Sequence, residues 1–516
     1  MTTRRKFLQG VGAGAGMLVL PAVTRAGRRG GGAGGGGAGG GGGMGGGGMG
    51  GGAGGATAPV YELPLNIPPV LAPVSSSASH DLYVISQENA SLEIIPGTRT
   101  DILGYEGMTP GPTIRVDANR RTIVRQVNNT LDTRTTTHLH GGHMDPRYDG
   151  HPIDLIGPGE FKDYDYSNKQ LPATLWYHDH TMDLTGDQVY AGLAGFYLVD
   201  DDYERSLGLP AGDYEVPLVV QDRTFAADGS LVYRDNFRGM GEFGDTILVN
   251  GTPYPRFEVA NRKYRFRLLN GSNARFYNFT LSNGGRFIVI GTDGGLLDAP
   301  VALNSLSVSP AERYDFIIDF SNVPVGQSVT LNNTGGGGMG GGGGGGGGGN
   351  TFDIMRFDVA REEIDDSIVP QTLRRVERID PAGAATTRRW VFDRRGRANT
   401  PWTINGRPYD PEYVGARVKL GTTEIWDLVN RTGMIHPVHI HDLQFQILDI
   451  NGRTPPPHLA GWKDTFQLPP GGRIRVIGRY DDYVSDPNDV TTSYMMHCHI
   501  LEHEDHAMMV NWMVVE

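Results

Sequence analysis

One short segment near the carboxyl end of the chain combines a single cysteine with imidazole and thioether side chains. Residues 494–509 read YMMHCHILEHEDHAMM, and Cys498 is the only cysteine among the 516 residues. Thiolate and imidazole groups together bind transition metals of soft or borderline character. The segment therefore predicts a metal site, and a lone cysteine excludes a disulfide within the chain.

Ten of the fifteen histidines fall in four short clusters along the chain. The clusters are His138 and His140, His178 and His180, His436 with His439 and His441, and His497 with His499 and His503. A single His-x-His pair can equally be a polar ladder on a strand surface, because alternate residues share one face. Four clusters in equivalent positions of repeated segments favour metal binding instead.

The ligand types in these clusters indicate which metal binds. A thiolate, two imidazoles and a weak axial thioether form the set of a blue-copper electron-transfer site, available in Cys498, His436, His503 and Met508. Structural zinc normally takes more thiolates or a fourth strong ligand, and a reactive catalytic thiol is the other alternative. The eight remaining clustered histidines offer imidazole alone, which suits a cluster of several copper ions.

The tripeptide His497-Cys498-His499 can connect two metal sites. In an extended segment the cysteine points to one side and both histidines point to the other, with a rise of ~3.3 Å per residue. The thiolate can therefore face one metal site while both imidazoles face another, and the tripeptide would then join the two sites by covalent bonds.

The elements that position these residues form a threefold repeat. TIVRQVNNT, YRFRLLNGS and EIWDLVNRT each read as an alternating strand that closes in Asn-x-Ser/Thr, with Asn128, Asn270 and Asn430 as the asparagines. A glycosylation sequence is the alternative, but it does not account for the strand that recurs with it. Short β-branched and aromatic runs between Gly, Pro, Asn and Asp predict three β domains in series.

Histidines follow the repeat in the outer domains only. HLHGGH follows Asn128 and HPVHIH follows Asn430, whereas the histidine-free GSNARFYNF follows Asn270. LWYHDHTM near residue 180 parallels YMMHCHIL near residue 500, and Asp179 stands where Cys498 stands. The outer domains are therefore expected to carry ligands, and the middle domain is interpreted as a spacer.

HLHGGH, YSNKQLPATLWYHDH and HCHILEHED resemble the ligand motifs of the multicopper oxidases. The likeness is greatest to the bacterial laccase branch that includes spore-coat laccase, bilirubin oxidase and phenoxazinone synthase, and it covers roughly residues 60 to 516. It implies an all-β fold of three cupredoxin-like Greek-key β-barrel domains in series, over residues 57–202, 203–365 and 366–516.

The resemblance also assigns ligands to four copper ions. It implies a type 1 copper held by His436, Cys498, His503 and Met508, and a type 2 copper held by His138 and His439. The implied ligands of the type 3 pair are His140, His178, His180, His441, His497 and His499. Glu504 matches the family's proton-relaying acid, and Asp149 matches the acid near the type 2 copper. A solvated loop carboxylate is the alternative for each.

The activity that the resemblance implies is laccase-like. Phenolic, aromatic amine or tetrapyrrole substrates would lose single electrons near His436 or His503, and dioxygen would be reduced to water by four electrons. Oxidation of cuprous or ferrous ions in copper tolerance is an alternative, although Met339 supplies far fewer methionines than a methionine-rich insert. A copper-free structural role is a further alternative, but no ligand is missing.

The amino-terminal residues indicate export. Arg4 and Arg5 precede a short apolar run, so residues 1–26 resemble a signal for the twin-arginine (Tat) export machinery. A disordered basic tail is the alternative. We expect a periplasmic, cell-surface or extracellular protein. Removal of these residues takes away Arg4, Arg5, Lys6 and Arg25, which changes the formal charge from −12 to −16.

The acidity and hydropathy of the mature chain exclude some partners. So acidic a protein is a poor ligand for nucleic acid or an anionic membrane, and no other stretch is apolar for long enough to span a bilayer. Residues 27–56 and 335–349 are glycine-rich and are predicted to be disordered, because glycine loses most entropy on ordering. Met44, Met49 and Met339 within them could bind Cu(I).

Overall fold

The computed structural model describes residues 55–335 and 352–516. The predicted signal peptide and nearly all of both glycine-rich tracts lie outside the described residues. Strands dominate, and the longest α-helix of the described residues has 7 residues. The predicted all-β fold is therefore confirmed. None of the helices described is long and apolar enough to cross a membrane.

The first domain consists of two sheets that enclose an apolar core. Its strands are β1 (Ser75–Ser76), β2 (Asp81–Leu92), β3 (Thr100–Tyr105), β4 (Gly111–Asp117), β5 (Thr122–Asn128), β6 (Thr137–His140), β7 (Phe161–Tyr166), β8 (Ala173–Asp179) and β9 (Ala194–Asp200). One sheet has the order β1-β2-β5-β7, with β3 also paired to β2, and the other has the order β4-β9-β8-β6. The helix α1 (Thr185–Ala191) connects β8 to β9.

The middle domain begins after the short helix α2 (Asp202–Ser206). Its strands are β10 (Glu215–Arg223), β11 (Thr246–Val249), β12 (Thr252–Pro253), β13 (Arg256–Ala260), β14 (Lys263–Asn270), β15 (Tyr277–Leu281), β16 (Phe287–Thr292), β17 (Gly295–Leu303), β18 (Leu306–Val308), β19 (Arg313–Asp319), β20 (Ser328–Asn333) and β21 (Phe352–Arg361). They form a sheet of order β12-β11-β10-β14-β19-β16-β17 and a second of order β13-β21-β20-β15-β18.

The third domain follows the strand-free segment 362–385. Its strands are β22 (Thr386–Asp393), β23 (Thr403–Ile404), β24 (Val414–Lys419), β25 (Thr422–Asn430), β26 (His436–Ile440), β27 (Gln446–Ile450), β28 (Thr465–Leu468), β29 (Arg473–Tyr480), β30 (Tyr494–Cys498) and β31 (Met509–Val515). The sheets have the orders β23-β22-β25-β29-β27 and β24-β31-β30-β26-β28. The helix α3 (Leu501–Asp505) follows β30.

Within residues 55–335 and 352–516, five short 3-10 helices complete the regular structure: Pro146–Tyr148, Gly212–Tyr214, Pro381–Gly383, Pro457–Leu459 and Val490–Thr492. The predicted domain boundaries fall between the three sets of strands. The first lies at α2, and the second lies in the segment between β21 and β22.

The repeated asparagines perform the same structural task in each domain, and we call Asn128, Asn270 and Asn430 the asparagine bracket. Each side-chain amide is buried and donates to two backbone carbonyls, one about five residues on and one in a later segment of the same domain. The acceptors are Thr133 and Ile156, Arg275 and Val308, and Met434 and Leu468, in domain order. Buried, hydrogen-bonded amides of this kind are structural and leave no room for a glycan.

One strand departs from the alternation that its sequence predicts. Arg265 and Arg267 on β14 are both buried, although alternation with apolar neighbours predicts a solvent-facing side. The second face of β14 packs against the first domain, where Asp200 lies 3.3 Å from Arg267. The other carboxylates around the two guanidinium groups come from α2 and from the neighbouring strands β10 and β19: Glu204, Glu215 and Asp315. Buried arginines require such partners, because an unpaired buried charge is strongly destabilising.

Candidate metal centres

Two pairs of antiparallel strands carry most of the clustered histidines. In the first domain β6 pairs with β8, so that His138 lies opposite His178. In the third domain β26 pairs with β30, so that His439 lies opposite His497. His180, His441 and His499 lie just beyond the ends of these strands. The same pairing in both outer domains explains why the motifs recur at similar positions.

These eight side chains meet in one buried cluster between the first and third domains, each of which contributes four. The members of this eight-histidine cluster are His138, His140, His178, His180, His439, His441, His497 and His499. Nε2 of His138 lies 3.3 Å from Nε2 of His439, and Nε2 of His441 lies 3.1 Å from Nε2 of His497. Nitrogens of the group His140, His178 and His499 lie within 4.8 Å of one another.

Backbone carbonyls fix the orientation of several of these rings. Nδ1 of His138 donates to the Asp149 carbonyl at 2.6 Å, and Nδ1 of His439 donates to the Asp464 carbonyl at 3.0 Å. Nδ1 of His178 similarly donates to the Asp179 carbonyl at 2.8 Å. Once Nδ1 carries the proton, Nε2 keeps its lone pair for a metal.

His140 has the opposite orientation. Its Nε2 lies 3.1 Å from Oδ1 of Asp464 and 3.1 Å from Oγ1 of Thr465, and its Nδ1 is buried without a hydrogen-bond partner. Nε2 of His178 and both nitrogens of His499 are buried and unpartnered as well. Because buried polar atoms are normally paired, these nitrogens fit a metal ion, and an all-imidazole set fits copper.

The protonation of the cluster also favours metal binding. Burial lowers the pKa of His439 to about 4 and that of His497 to about 3. Burial likewise holds the pKa of His140, His178 and His499 well below the ordinary value. These imidazoles are therefore neutral at pH 7 and available as ligands.

The thiolate site lies next to the cluster in the third domain. Sγ of Cys498 lies 3.4 Å from Nδ1 of His436 and 3.7 Å from Nδ1 of His503, and all three residues are buried. Nε2 of His436 forms a hydrogen bond with Oγ1 of Thr432, and Nε2 of His503 donates a hydrogen bond to the Gly239 carbonyl. Both histidines therefore direct Nδ1 toward the sulfur.

Cys498 needs a cation to act as a thiolate. Burial raises the pKa of its thiol, which disfavours the charged form. A bound metal ion reverses this preference, since a coordinating thiol is deprotonated. Met508 is buried in the same core, and its backbone carbonyl accepts a hydrogen bond from the Cys498 amide at 3.0 Å. The axial role of its sulfur stays a prediction.

The structure places the three residues of the central tripeptide as strand alternation predicts. Cys498 faces His436 and His503, while His497 and His499 each belong to a different triad of the eight-histidine cluster. Only one backbone step separates the thiolate site from either triad. The two groups of ligands are therefore connected by covalent bonds.

Glu504 and Asp149 both border the eight-histidine cluster. Oε2 of Glu504, on α3, lies 2.8 Å from Nδ1 of His497, and Oε1 lies 3.6 Å from Nε2 of His180. Burial raises the pKa of Glu504. Oδ2 of Asp149 lies 2.7 Å from Nδ1 of His441. Both carboxyls are buried, so the alternative of a solvated loop carboxylate is wrong for each.

Sequence reasoning missed Asp464 and Arg313, which contact each other beside the cluster. Asp464 and its neighbour Lys463 are buried charges within GWKDTFQL, between Trp462 and Phe466. Charges in such a context are a signal that could have identified Asp464. Arg313 begins an ordinary strand of the middle domain, and its sequence context carries no comparable signal.

A segment of the middle domain covers the thiolate site, and we call residues 233–243 the cover segment. Phe237 stacks on His506 at 3.6 Å between ring centroids, and its carbonyl accepts from Nε1 of Trp402. The Trp402 ring in turn lies 4.0 Å from that of His503. A cavity of about 700 Å³ borders the segment, with a lining that includes Asp235, Phe237, Glu242, Phe243 and His506.

Comparison with known proteins gives consistent matches along the chain. Family models described as multicopper oxidase match residues 87–204, 215–340 and 382–516. The chain is 38% identical to a laccase of Bacillus subtilis (strain 168), over 86% of this chain and 96% of that protein. It is 37% identical to a bilirubin oxidase of Albifimbria verrucaria, over 87% of this chain and 80% of that protein.

Solved structures of similar proteins share the whole architecture. A laccase from Pediococcus acidilactici superposes with a TM-score of 0.80 at 31% identity, over 89% of this chain and 95% of that chain. A multicopper oxidase from Campylobacter jejuni, described as a metallo-oxidase, superposes with a TM-score of 0.77 at 26% identity, over 89% of this chain and 96% of that chain.

Proposed function

We propose, from the premise that this chain belongs to the multicopper oxidase family, that it is a laccase-like oxidase of small aromatic reductants. The family-level activity is that of a copper-dependent oxidoreductase with dioxygen as the electron acceptor. The proposal adds the reductants, which are phenols, aromatic amines or tetrapyrroles. It also adds a complement of four copper ions.

The ligands of the four ions follow from the side chains that the structure brings together. His436, Cys498 and His503 would hold a type 1 copper with Met508 as axial ligand, and His138 and His439 would hold a type 2 copper. The type 3 pair would be held by the triads His140, His178 and His499, and His180, His441 and His497. Copper bound there would accept single electrons at the thiolate site and reduce dioxygen at the cluster.

The chain itself supplies the electron path and the protons. Cys498 joins the thiolate site to both triads through covalent bonds to His497 and His499, which keeps the path short. Glu504 is buried beside Nδ1 of His497, and burial raises its pKa, so it holds its proton to a higher pH than an exposed glutamate does and can deliver it where dioxygen is reduced. Asp149 orients His441 and His138 from the opposite side.

The observation that carries the aromatic specificity is the cavity beside the thiolate site. Phe237 and Phe243 line it, and the rings of Trp402 and His503, 4.0 Å apart and tilted by 37°, lie behind the cover segment. Aromatic walls bind planar aromatic molecules through dispersion and ring contacts. Of the two carboxylates in the lining, Asp235 already binds His506, which favours an aromatic reductant over a metal ion.

Oxidation of cuprous or ferrous ions is the second candidate function. The second carboxylate in the lining, Glu242, is buried, and its Oε1 lacks a hydrogen-bond partner but lies 3.6 Å from Nη1 of Arg234. Oxygen ligands of this type bind Fe²⁺. The match to a metallo-oxidase from Campylobacter jejuni also supports this candidate.

Steady-state oxygen consumption separates the two candidates. Copper-loaded protein would be supplied with a simple phenol or with ferrous ion, each with and without added Cu(II), and Glu242→Gln would be measured in parallel. We expect phenol oxidation without added copper and a kcat/KM for the phenol that Glu242→Gln leaves unchanged. Strict dependence on added copper, or a larger kcat/KM for ferrous ion that Glu242→Gln abolishes, would establish the metal oxidase instead.

The same preparation tests the copper complement. Metal analysis should give four copper ions per chain, and the thiolate site should show an intense visible absorption that disappears in Cys498→Ser. Protein that is fully folded yet binds no copper and remains colourless would support the copper-free alternative.

The proposal includes export through the twin-arginine machinery. Arg4 and Arg5 support it, together with a chain that needs no disulfide for folding. Replacing both arginines by lysine should retain the protein inside the cell with residues 1–26 uncleaved, whereas the parent chain should begin near Gly27 outside the cytoplasm. Equal export of both proteins would contradict a twin-arginine signal.

A further inference from the structure

Arg313, at the start of β19, touches all three domains. Its Nε donates to the Thr174 carbonyl on β8 of the first domain at 2.9 Å. Both terminal nitrogens bind the Asp464 carboxylate of the third domain, with Nη1 at 2.7 Å from Oδ1. Within its own domain it donates to the carbonyls of Ala311 and Asp293. The side chain is completely buried, so these contacts replace all of its hydration.

Asp464 transmits these contacts to copper ligands of both outer domains. Its Oδ1 lies 3.1 Å from Nε2 of His140, which belongs to the first domain. Its backbone carbonyl accepts from Nδ1 of His439, which belongs to the third domain. Thr465 and Gln444 donate to the two carboxylate oxygens, at 2.8 and 2.7 Å. Both oxygens of the Asp464 carboxylate therefore accept hydrogen bonds from several side chains, which fix its orientation.

The orientation of His140 depends on this carboxylate. His138, His178 and His439 each bind a carbonyl through Nδ1 and so keep Nε2 for the cluster. His140 instead directs Nδ1 into the cluster, and this requires that Nε2 carry the proton. A fixed hydrogen-bond acceptor opposite Nε2 selects that tautomer and that ring direction. A bidentate guanidinium fixes the plane of the carboxylate, which a single ammonium group does not.

The backbone beside His140 is fitted to the same ion pair. Gly141 has a φ of +86°, and a Cβ there would lie 2.5 Å from Nη2 of Arg313 and 2.8 Å from Oδ2 of Asp464. No L side chain is accommodated at that distance. The chain therefore passes from His140 directly over the guanidinium–carboxylate pair.

We propose that Arg313, supplied by the domain without ligands, is a positioning residue for the type 3 copper pair, acting through Asp464 on the direction and tautomer of His140. This inference rests on the proposed copper loading of the eight-histidine cluster. It gives the middle domain a part in oxygen chemistry beyond that of a spacer. The thiolate site has no contact with Arg313 in the described residues and should not respond to its replacement.

The test compares Arg313→Lys with Arg267→Lys. Arg267 is another buried arginine of the same domain with four carboxylate partners, but it contacts no histidine of the cluster. Lysine keeps the charge and removes the fork at both positions. Arg313→Lys should bind cluster copper roughly 10-fold to 100-fold more weakly in competition with a chelator.

Spectra of the loaded proteins provide the second readout. Arg313→Lys should lose the near-ultraviolet absorption of the type 3 pair and alter the electron paramagnetic resonance of the type 2 copper, while the visible absorption of the thiolate site persists. Turnover should fall with no change in KM for the reductant. Arg267→Lys should reproduce the parent spectra even where its unfolding temperature falls.

Three outcomes can be told apart. Parent protein that binds no cluster copper would overturn the proposed function itself. Normal cluster spectra and copper affinity in Arg313→Lys, with loaded parent protein, would overturn the positioning role alone. Identical spectral losses in both lysine variants would also overturn it, because they would show a general effect of domain packing.

Discussion

At the scale of single residues, hydrogen bonds decide which nitrogen each histidine presents. Backbone carbonyls accept hydrogen bonds from Nδ1 of His138, His178 and His439. The Asp464 carboxylate instead accepts a hydrogen bond from Nε2 of His140. Burial lowers the pKa of His140, His178 and His439, so these three rings are neutral at pH 7 and a metal need not compete with an additional proton there. The cluster is therefore organised for its ions by groups that do not themselves bind copper.

Replacement of Glu504 by glutamine should slow oxygen reduction. Glutamine preserves the shape but cannot donate the proton, and general acid catalysis contributes roughly 10²-fold to turnover. We expect that loss in steady-state oxygen consumption, with normal visible absorption and unchanged KM for the reductant. Because burial raises the pKa of Glu504, parent turnover should also decline as the pH rises through that pKa, and the variant should lack this step.

Glu502→Gln is the matched control for this prediction. Glu502 is buried on the same helix, but Oε1 accepts from Asn273 and Tyr233 rather than approaching a cluster histidine. Its turnover per copper-loaded molecule should stay near that of the parent. An equal loss in both variants would assign the effect to α3 as a whole.

The sequence alone predicted the metal-binding histidines and the cysteine, but it did not predict the residues that orient them. Histidine and cysteine motifs are local in sequence, and strand alternation places His497, Cys498 and His499 correctly. Arg313 and Asp464 are 151 residues apart and meet only after three domains pack together. An ion pair between two domains does not alter the pattern of apolar and polar residues in either segment. Sequence patterns therefore could not reveal it.

At the scale of elements, the asparagine bracket holds the loop that follows one strand of each domain. Asn270→Ala in the middle domain should lower the free energy of unfolding by ~2 to 4 kcal/mol, because two buried carbonyls lose their donor. Denaturant unfolding measures this loss. Asn283→Ala, at an exposed turn of the same domain, should change it by less than about 0.5 kcal/mol. Similar losses at both sites would contradict the structural role of the bracket.

The cover segment should loosen at alkaline pH. His506 binds Asp235 through Nε2 at 3.0 Å and the Asn399 carbonyl through Nδ1 at 2.9 Å, which needs the doubly protonated ring. Burial lowers the pKa of His506, but Asp235 and Asn399 raise it more, so the net pKa lies above 6.5. Stabilisation is therefore complete below pH 6.5 and is lost as the pH rises through the higher folded pKa.

Hydrogen exchange measures this loosening. Amides of residues 233–243 should exchange faster at roughly pH 9 than at roughly pH 6, after correction for the intrinsic rate. In His506→Gln the corrected rates should be the same at both values. A pH-independent parent segment would show that the His506–Asp235 pair does not hold the cover.

At the scale of the whole molecule, copper should bind the first and third domains together. Each triad of the cluster contains residues of both domains, so the ions would act as cross-links. A site filled at about 1,000 times its Kd adds about 4 kcal/mol to the free energy of unfolding. Calorimetry should show a higher unfolding temperature in loaded protein and a reversal by chelation. An unchanged temperature with copper bound would contradict the cross-link.

The threefold fold was largely accessible to sequence analysis, whereas the contacts between domains were not. Three alternating strands that end at Asn128, Asn270 and Asn430 predict three similar domains. Alternation along β14 predicts that its arginines face solvent, but Arg267 is buried and binds Asp200 of the first domain. Patterns within a strand report burial within a domain and are silent about surfaces that meet another domain.

The asparagine bracket has a consequence for protein engineering. It is intact in the middle domain, where β15 follows it and carries the stacked rings of Tyr277 and Phe279 instead of imidazoles. The asparagine bracket can therefore form in a domain whether or not metal-binding histidines follow it. A designer could exchange those two aromatic side chains for histidines and so begin a metal site in a domain that contributes no histidine to the eight-histidine cluster.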